Sequence, residues 1–509
     1  LCNANFHQLR YSDTPADARN IRHMQGQQDF YPGGWPWEVI LGTVRLVWME
    51  GCRVGIQVGE VGRRWVFNVV DAFRGGKLRR LKEVNKREIV DGVTDDYVNR
   101  RIEKLLYYAK ENSEFYKEQR ELEKLSDFPV MDKGDYIKHY DEVLCDGYED
   151  GQQGEFHRRW KRGCSGGRKV YSLSTSGSTG TPFMVVCDGD KMNRINMNFI
   201  SCMELNGFRL GMKRGEFRVW IPGKNAVTPL KSMKNNLIMI DISNMGDESL
   251  KGICKTIGEK RIQVLVSYSS ALGALARYIV KEGIDVSKWE VEMVFSMGEA
   301  LADGTFDLLK GIFGFAPVRS YGNNENGFIA IQLNEEQDYT VDLYNYYVEI
   351  LKLDSDEKAG AGEVGRIVVT DYYNKAFPMI RYDTGDTGIM EMYYDGKGRR
   401  HAKFKEIYGR RGSLMYNCQG EPLSIHVFMN ILIGLEGIVY QAKCIQWEKT
   451  RYEVLLNGDR EKIDEEEVVA SYRNYLGEEA VIDVTYVDEI PVQASGKWMA
   501  CENRCLDYR

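Results

Sequence analysis

IQVLVSYSSALGALARYIVKEG, residues 262–283, carries the reading of the fold. Ile262 to Tyr268 is a short, largely apolar run of the length expected for a strand buried on both faces. The following ALGALARYIVKEG (271–283) spaces its apolar residues three and four apart, as one face of a helix does. The same pair recurs as VEMVFSM (291–297) followed by ADGTFDLLKGIFG (302–314). Strand–helix–strand alternation of this kind predicts an α/β fold with a mainly parallel sheet between about 170 and 320.

Upstream, DDYVNRRIEKLLYYAKENSEFYKE (95–118) has the apolar spacing of an amphipathic helix. Before it, WPWEVILGTVRLVWM (35–49) and GRRWVFNVVDAF (62–73) show no clean alternation, and residues 1–94 remain an unassigned N-terminal region. Downstream, 340–408 reads as a β-rich part, with strands set off by Gly and Asp turns as in GEVGRIVVTDYY (362–373). A helix near 424–433, strands at VYQAKCIQW (439–447) and YEVLLNG (452–458), a helix near 463–475 and a strand at VIDVTYV (481–487) describe a small α+β domain. The expected organisation is a large domain over 95–411 and a small one over 412–509, joined near YGRRGS (408–413).

A chain of 509 residues with 43% hydrophobic content can bury more than one core. Its net charge of −7 leaves no basic footprint for nucleic acid or anionic membranes. The eleven cysteines are scattered without a CxxC pair, which fits reduced thiols in a cytoplasmic protein. The six histidines lack HExxH spacing, so zinc hydrolysis is not expected, and no run of about twenty apolar residues suggests a membrane span.

One loop stands out. STSGSTGTP (174–182) concentrates small hydroxyls and glycines between VYSLSTS (170–176) and PFMVV (182–186), which read as strands entering and leaving it. Gly177 and Gly180 allow close backbone approach, and Ser176, Ser178, Thr179 and Thr181 add hydroxyl donors, so the composition suits a phosphate cradle. It equally suits a Ser/Gly linker, although a linker rarely interrupts two apolar strands inside an α/β pattern. No GK[ST] follows the glycines, so this is not a P-loop.

Read with five other segments in order, the loop resembles the [ST]SG[ST]TG-P signature of the adenylate-forming superfamily, which includes acyl-CoA synthetases, adenylation domains and luciferases. The other segments are SMGEAL (296–301), SYGNNENG (320–327), MIRYDTGDTG (379–388), YGRRGS (408–413) and PVQASGKWMACENR (491–504). The phenylacetate–CoA ligase-like branch, with its capsular polysaccharide biosynthesis ligases, is the most similar. FPVMDKGDYIKHYDEVL (128–144), ISNMGDESL (242–250) and SYSSALGALARYI (267–279) add to that likeness.

The resemblance implies a site. Ser176 to Thr181 would hold the ATP phosphates, and Gly298, Glu299 and Ala300 would pack on adenine beside Tyr321 and Gly322. Glu325 would coordinate Mg2+, and Asn324 stands where the family has Thr or Ser beside the α-phosphate. Asp386 would accept hydrogen bonds from the ribose hydroxyls, Arg410 would reach ribose or phosphate, and Lys497 would stabilise charge on the reacting carboxylate. The family's hinge Asp is absent, with Gly412 and Ser413 in its place. Tyr268, Ser269 and Ser270 are the expected acyl-pocket residues.

The implied reaction is ATP-dependent adenylation of a small-molecule carboxylic acid, with pyrophosphate released and the acyl group passed to coenzyme A. Acyl or AMP transfer to an amine or hydroxyl, such as that of a sugar, is the alternative. A nucleotide-binding protein without turnover is a third reading. Related ligases are often dimers, so a homodimer is left open.

Overall fold

The structure is a computed structural model. It describes residues 59–148, 170–175, 183–218, 220, 227–242, 245–333, 337–410, 414–423, 427, 428, 431, 439–490 and 500–505. The phosphate-loop residues Ser176 to Thr181, the hinge positions Gly412 and Ser413, and Lys497 lie outside them, as does most of the helix expected near 424–433.

Two helices open the described chain: α1, Glu60–Phe73, and α2, Lys77–Asp91. The segment 62–73, which lacked a readable period, is therefore helical. Asp71 near the end of α1 is buried and accepts the amide N–H groups of Leu78 and Arg79 at 3.0 and 2.8 Å. One helix thus supplies the anionic cap that satisfies the first turn of the next. A third helix, α3, Asp95–Asn112, starts as its sequence predicts: the Thr94 hydroxyl accepts the Tyr97 amide, with Asp95 and Asp96 in the first turn.

The central strands are β1, Val170–Thr175; β2, Phe183–Asp188; β3, Arg214–Arg218; β4, Leu237–Asp241; β5, Val264–Ser267; and β6, Met293–Ser296. After them come β7, Val318–Asn323; β8, Gly327–Gln332; β9, Tyr339–Val341; β10, Tyr346–Leu351; β11, Gly365–Asp371; β12, Tyr382–Tyr394; and β13, Arg400–Arg410. The longer helices among them are α4, Gly189–Leu205; α5, Asp247–Glu259; α6, Ser269–Lys281; and α7, Asp303–Phe313.

Eleven of these strands form one sheet in the order β10-β11-β12-β13-β9-β8-β7-β6-β5-β3-β4. From β4 to β7 every pairing is parallel, and from β7 to β10 every pairing is antiparallel. The predicted parallel unit is present, then, but it makes up one half of a mixed sheet. Its strands are continuously apolar because both faces are covered. Val264, Val266, Met293 and Phe295 face Met197, Phe199 and Met203 of α4, whereas Leu265 and Val294 face Ile253 and Ile257 of α5 and Leu272 and Leu275 of α6. The N-terminal helices join the first of these cores through Phe67, Leu81 and Ile89.

β1 and β2 form a separate antiparallel hairpin, with Thr175 opposite Phe183 as its last described pair. The hydroxyl-rich loop therefore connects two strands of one hairpin, and β2 runs directly into α4. The C-terminal part holds a two-stranded sheet of β14, Met415–Tyr416, and β15, Pro422–Leu423. Beyond it lie β16, Val439–Gln446; β17, Arg451–Gly458; α8, Glu465–Leu476; β18, Val481–Tyr486; and β19, Cys501–Asn503. The four strands pair in the order β18-β17-β16-β19, and Tyr452, Val454 and Leu456 pack with Val468, Tyr472 and Leu476 of α8. This is an α+β unit of the predicted kind.

Candidate active site

In parallel α/β sheets the carboxyl ends of the strands leave a crevice in which ligands bind. Three of the predicted segments fall there, after β5, after β6, and at the end of β7. Tyr268 is the N-cap residue of α6, followed by Ser269 and Ser270 in its first turn. The Ser270 amide donates to Glu299 Oε2 at 3.0 Å, and the Ser269 hydroxyl donates to the Glu299 carbonyl at 3.0 Å. A carboxylate is favoured in this position because it meets the positive end of the helix dipole and an unsatisfied amide. Gly298 supports the turn with φ +75°, a left-handed conformation that side chains disfavour, and Ala300 follows on the same connection. Ser269 is buried, its hydroxyl 2.6 Å from that of Ser296, while Tyr268 is half-buried and Ser270 exposed. The acyl-pocket segment and the adenine segment are thereby joined through Glu299. Ser320 ties β7 to the same edge by donating to the Ser296 carbonyl at 2.8 Å.

The second cluster lies where the parallel half meets the antiparallel half. Tyr321 of β7 donates its hydroxyl to Asp386 Oδ2 at 3.0 Å, and Tyr382 of β12 donates to Glu325 Oε1 at 3.0 Å. Both tyrosines and Glu325 are buried, and Tyr321 also packs edge-on against Phe404. Thr384 steadies the turn, with its hydroxyl donating to the Ile367 carbonyl at 2.9 Å and accepting the Asp386 amide at 3.2 Å. Gly322 must be glycine: a Cβ there would stand 2.3 Å from the Gly327 carbonyl oxygen on β8. The Glu325 loop is closed by Asn323, whose side-chain oxygen accepts the Asn326 amide at 2.7 Å, and Asn324 is exposed at its tip. Arg410 stands opposite Asp386 in the β12–β13 register.

Tyr321 is thus joined directly to Asp386, Glu325 is held by Tyr382 of the segment that carries Asp386, and Glu299 with its neighbours lies at the ends of the adjoining strands. Sequence reasoning missed Tyr382, Thr384, Ser296 and Ser320. Tyr382 lies inside the quoted RYDTGD segment, and only its pairing with Glu325 gives it a role.

A parallel unit continued by an antiparallel half and a C-terminal α+β unit is a fold this chain shares with acyl-CoA ligases of known structure. The chain is similar to 2-hydroxyisobutyryl-CoA ligase in its postadenylation state in complex with R3-HIB-AMP. The TM-score is 0.60 at 14% identity, over 80% of this chain and 88% of that one. Against the same ligase in complex with 2-HIB-AMP and CoA, in the thioesterification state, the TM-score is 0.50 at 15% identity, over 81% and 90% of the two chains. In sequence it is 24% identical to Protein CapK of Staphylococcus aureus over 359 residues, 67% of this chain and 71% of CapK. No family model matches the chain. Among the described residues no helix is long and apolar enough to cross a membrane.

Proposed function

We propose that this protein is an ATP-dependent, AMP-forming acid ligase that activates a carboxylic acid as its acyl-adenylate. The observation that carries the reading is the exchange of partners between two motifs, Tyr321 with Asp386 and Tyr382 with Glu325. It restrains two acidic side chains borne by neighbouring segments, one suited to a ribose diol and one to a phosphate-bound cation. The likeness in fold to a ligase described with acyl-AMP ligands supports the same chemistry.

In this reading ATP lies with its phosphates on Ser176 to Thr181, its adenine against Gly298–Ala300 and Tyr321, and its ribose on Asp386. The substrate carboxylate forms a bond to the α-phosphorus as the bridging P–O bond to the β-phosphate breaks, and pyrophosphate leaves. A carboxylate is already ionised at neutral pH, so the step requires no general base. The main demand is to bring two anions together, which Lys497 and Arg410 serve by placing positive charge against them.

Among the described residues no group of three or more His, Cys, Asp or Glu side chains could hold a metal unaided. Mg2+ delivered with ATP needs only one or two protein carboxylates, its remaining ligands being phosphate oxygens and water. Glu325, with one oxygen held by Tyr382, fits that requirement. A bound magnesium ion supplies charge neutralisation at the phosphates.

The second step transfers the acyl group to a thiol, for which coenzyme A is the proposed acceptor. Its sulfur gives up the thiol proton to solvent and forms the new bond to the acyl carbon as AMP departs. The likeness to the ligase described with both 2-HIB-AMP and CoA supports this choice. The likeness to Protein CapK favours a second reading, in which the acceptor is an amine or hydroxyl of a surface-polysaccharide precursor. Incubation with MgATP, a panel of acids and CoA, with AMP and thioester read by mass spectrometry, tests the proposal. Thioester and AMP in equal amounts support the first acceptor, AMP release that needs an amine or sugar instead supports the second, and no AMP with any acid contradicts both.

A further inference from the structure

Beneath the Glu325 loop lies a lysine that no motif assigns. Lys191, in the first turn of α4, is 1% exposed, and its ammonium stands 2.6 Å from the carboxylate of Asp371, which is fully buried at the end of β11. The same ammonium donates to the Asn326 carbonyl at 2.9 Å and to the Tyr346 hydroxyl at 3.3 Å, and it sits 4.8 Å from the centre of the Tyr346 ring. The ammonium thus makes two hydrogen bonds and one close ion pair. Tyr346 donates in turn to the Asn326 carbonyl at 2.5 Å, so that one peptide oxygen is gripped from two sides.

The location matters more than the pairing. Asn326 directly follows Glu325, and its amide is already fixed by Asn323. α4 begins where the hairpin carrying the hydroxyl-rich loop ends, with Asp188 capping its first turn through the Asp190 and Lys191 amides. Asp188 also accepts the Lys375 amide, and Asp371 accepts the Tyr373 amide, so both carboxylates reach the segment that leads into Tyr382. A single buried cation therefore joins the three chain segments that bear the hydroxyl-rich loop, Glu325 and the Tyr382–Asp386 turn. A fold in need only of stability would gain as much from packed apolar side chains at this point, since a buried ion pair is seldom better than its hydrophobic replacement.

We propose that Lys191, paired with Asp371, is a positioning residue for the nucleotide site: it fixes the peptide after Glu325 and so sets where that carboxylate faces the phosphates. The proposal rests on the reading of Glu325 as the carboxylate that meets phosphate-bound magnesium. Outer-sphere partners that orient a metal ligand change metal affinity by about 10–100-fold when removed.

The test compares wild type, Lys191→Met and the charge-free pair Lys191→Met/Asp371→Leu. ATP binding is measured by calorimetry in EDTA and across a magnesium series, and melting temperature is measured alongside. The expected result is that the double variant regains most of the stability lost by the single one, binds free ATP as wild type does, and needs roughly tenfold more magnesium for its half-maximal effect. A double variant with wild-type stability and wild-type magnesium dependence overturns the positioning role. A wild-type protein whose ATP binding ignores magnesium overturns the Glu325 reading and the proposal with it. The two failures are told apart by which protein shows them.

Discussion

Tyr382 donates its hydroxyl to Glu325 while Tyr321, four residues before Glu325, donates its own to Asp386, four residues after Tyr382. Each motif therefore orients the acidic residue of the other. Hydroxyl-to-carboxylate bonds of this kind are stronger than neutral ones and hold the acceptor in one rotamer. Ligand-facing carboxylates gain from such restraint, because it is set before the ligand arrives.

The two tyrosines are expected to fail differently. Tyr382→Phe removes the hydroxyl that holds Glu325 and should raise the magnesium concentration needed for half-maximal rate. Tyr321→Phe removes the hydroxyl that holds Asp386 and should raise the KM for ATP, with each effect about tenfold. Each loses about 1.5–3 kcal/mol of stability, the worth of one hydrogen bond to a charged group. Steady-state kinetics against ATP and magnesium check this. Equal effects of both variants on both parameters would argue that the exchange of partners has no directional role.

Gly322 should tolerate no side chain. In Gly322→Ala the new Cβ would meet the Gly327 oxygen and the Phe328 Cα, which is 2.9 Å away, and both are backbone atoms that cannot swing aside. β7 and β8 must part, at a cost of about 3 kcal/mol. Urea unfolding of the variant reads it out, and a midpoint equal to wild type would refute the close approach.

Glu299 acts as the cap of α6. Removing the carboxylate in Glu299→Ala leaves the Ser270 amide to water and should cost about 1 kcal/mol, whereas Glu299→Gln keeps an acceptor and should cost about half of that. The same urea experiment ranks the two. An equal loss in both variants would mean that charge rather than acceptance matters.

Asp342 gives the fold a pH dependence. Burial raises its carboxyl to about 6 from the usual 3.8, although the amides of Tyr344 and Asn345 and the Asn345 side chain donate to it. The native state thus binds this proton more tightly than the unfolded chain. The resulting stability is full below about pH 4 and is lost as pH rises through about 6. Relative to Asp342→Asn, wild type should lose up to about 3 kcal/mol between pH 4 and pH 7. Unfolding midpoints at several pH values test this, and a constant gap would contradict it.

The β5–α6–β6–α7 succession was legible because strands covered on both faces are apolar throughout and the helices between them keep one face apolar. The 62–73 helix was not: only Phe67 and Asp71 of α1 are buried, while Val61, Trp65 and Phe73 remain exposed, so the apolar residues do not mark the face that the fold buries. The antiparallel half could be read as strands but not as part of the same sheet, because pairings such as β13 with β9 join segments distant in the chain. Tyr321, Glu325 and Asp386 were visible as members of motifs. Lys191 and Asp371 were not, since a buried lysine has no local signature and only the folded chain brings the two charges together.

Exchange of labelled pyrophosphate into ATP, measured over a broad panel of carboxylic acids with wild type and Lys497→Ala, tests the proposed adenylation most directly. The account predicts acid-dependent exchange by the wild-type protein, falling about a hundredfold or more in the variant. A folded protein that binds ATP yet gives no exchange with any acid, or a Lys497→Ala protein that exchanges as well as wild type, would contradict it.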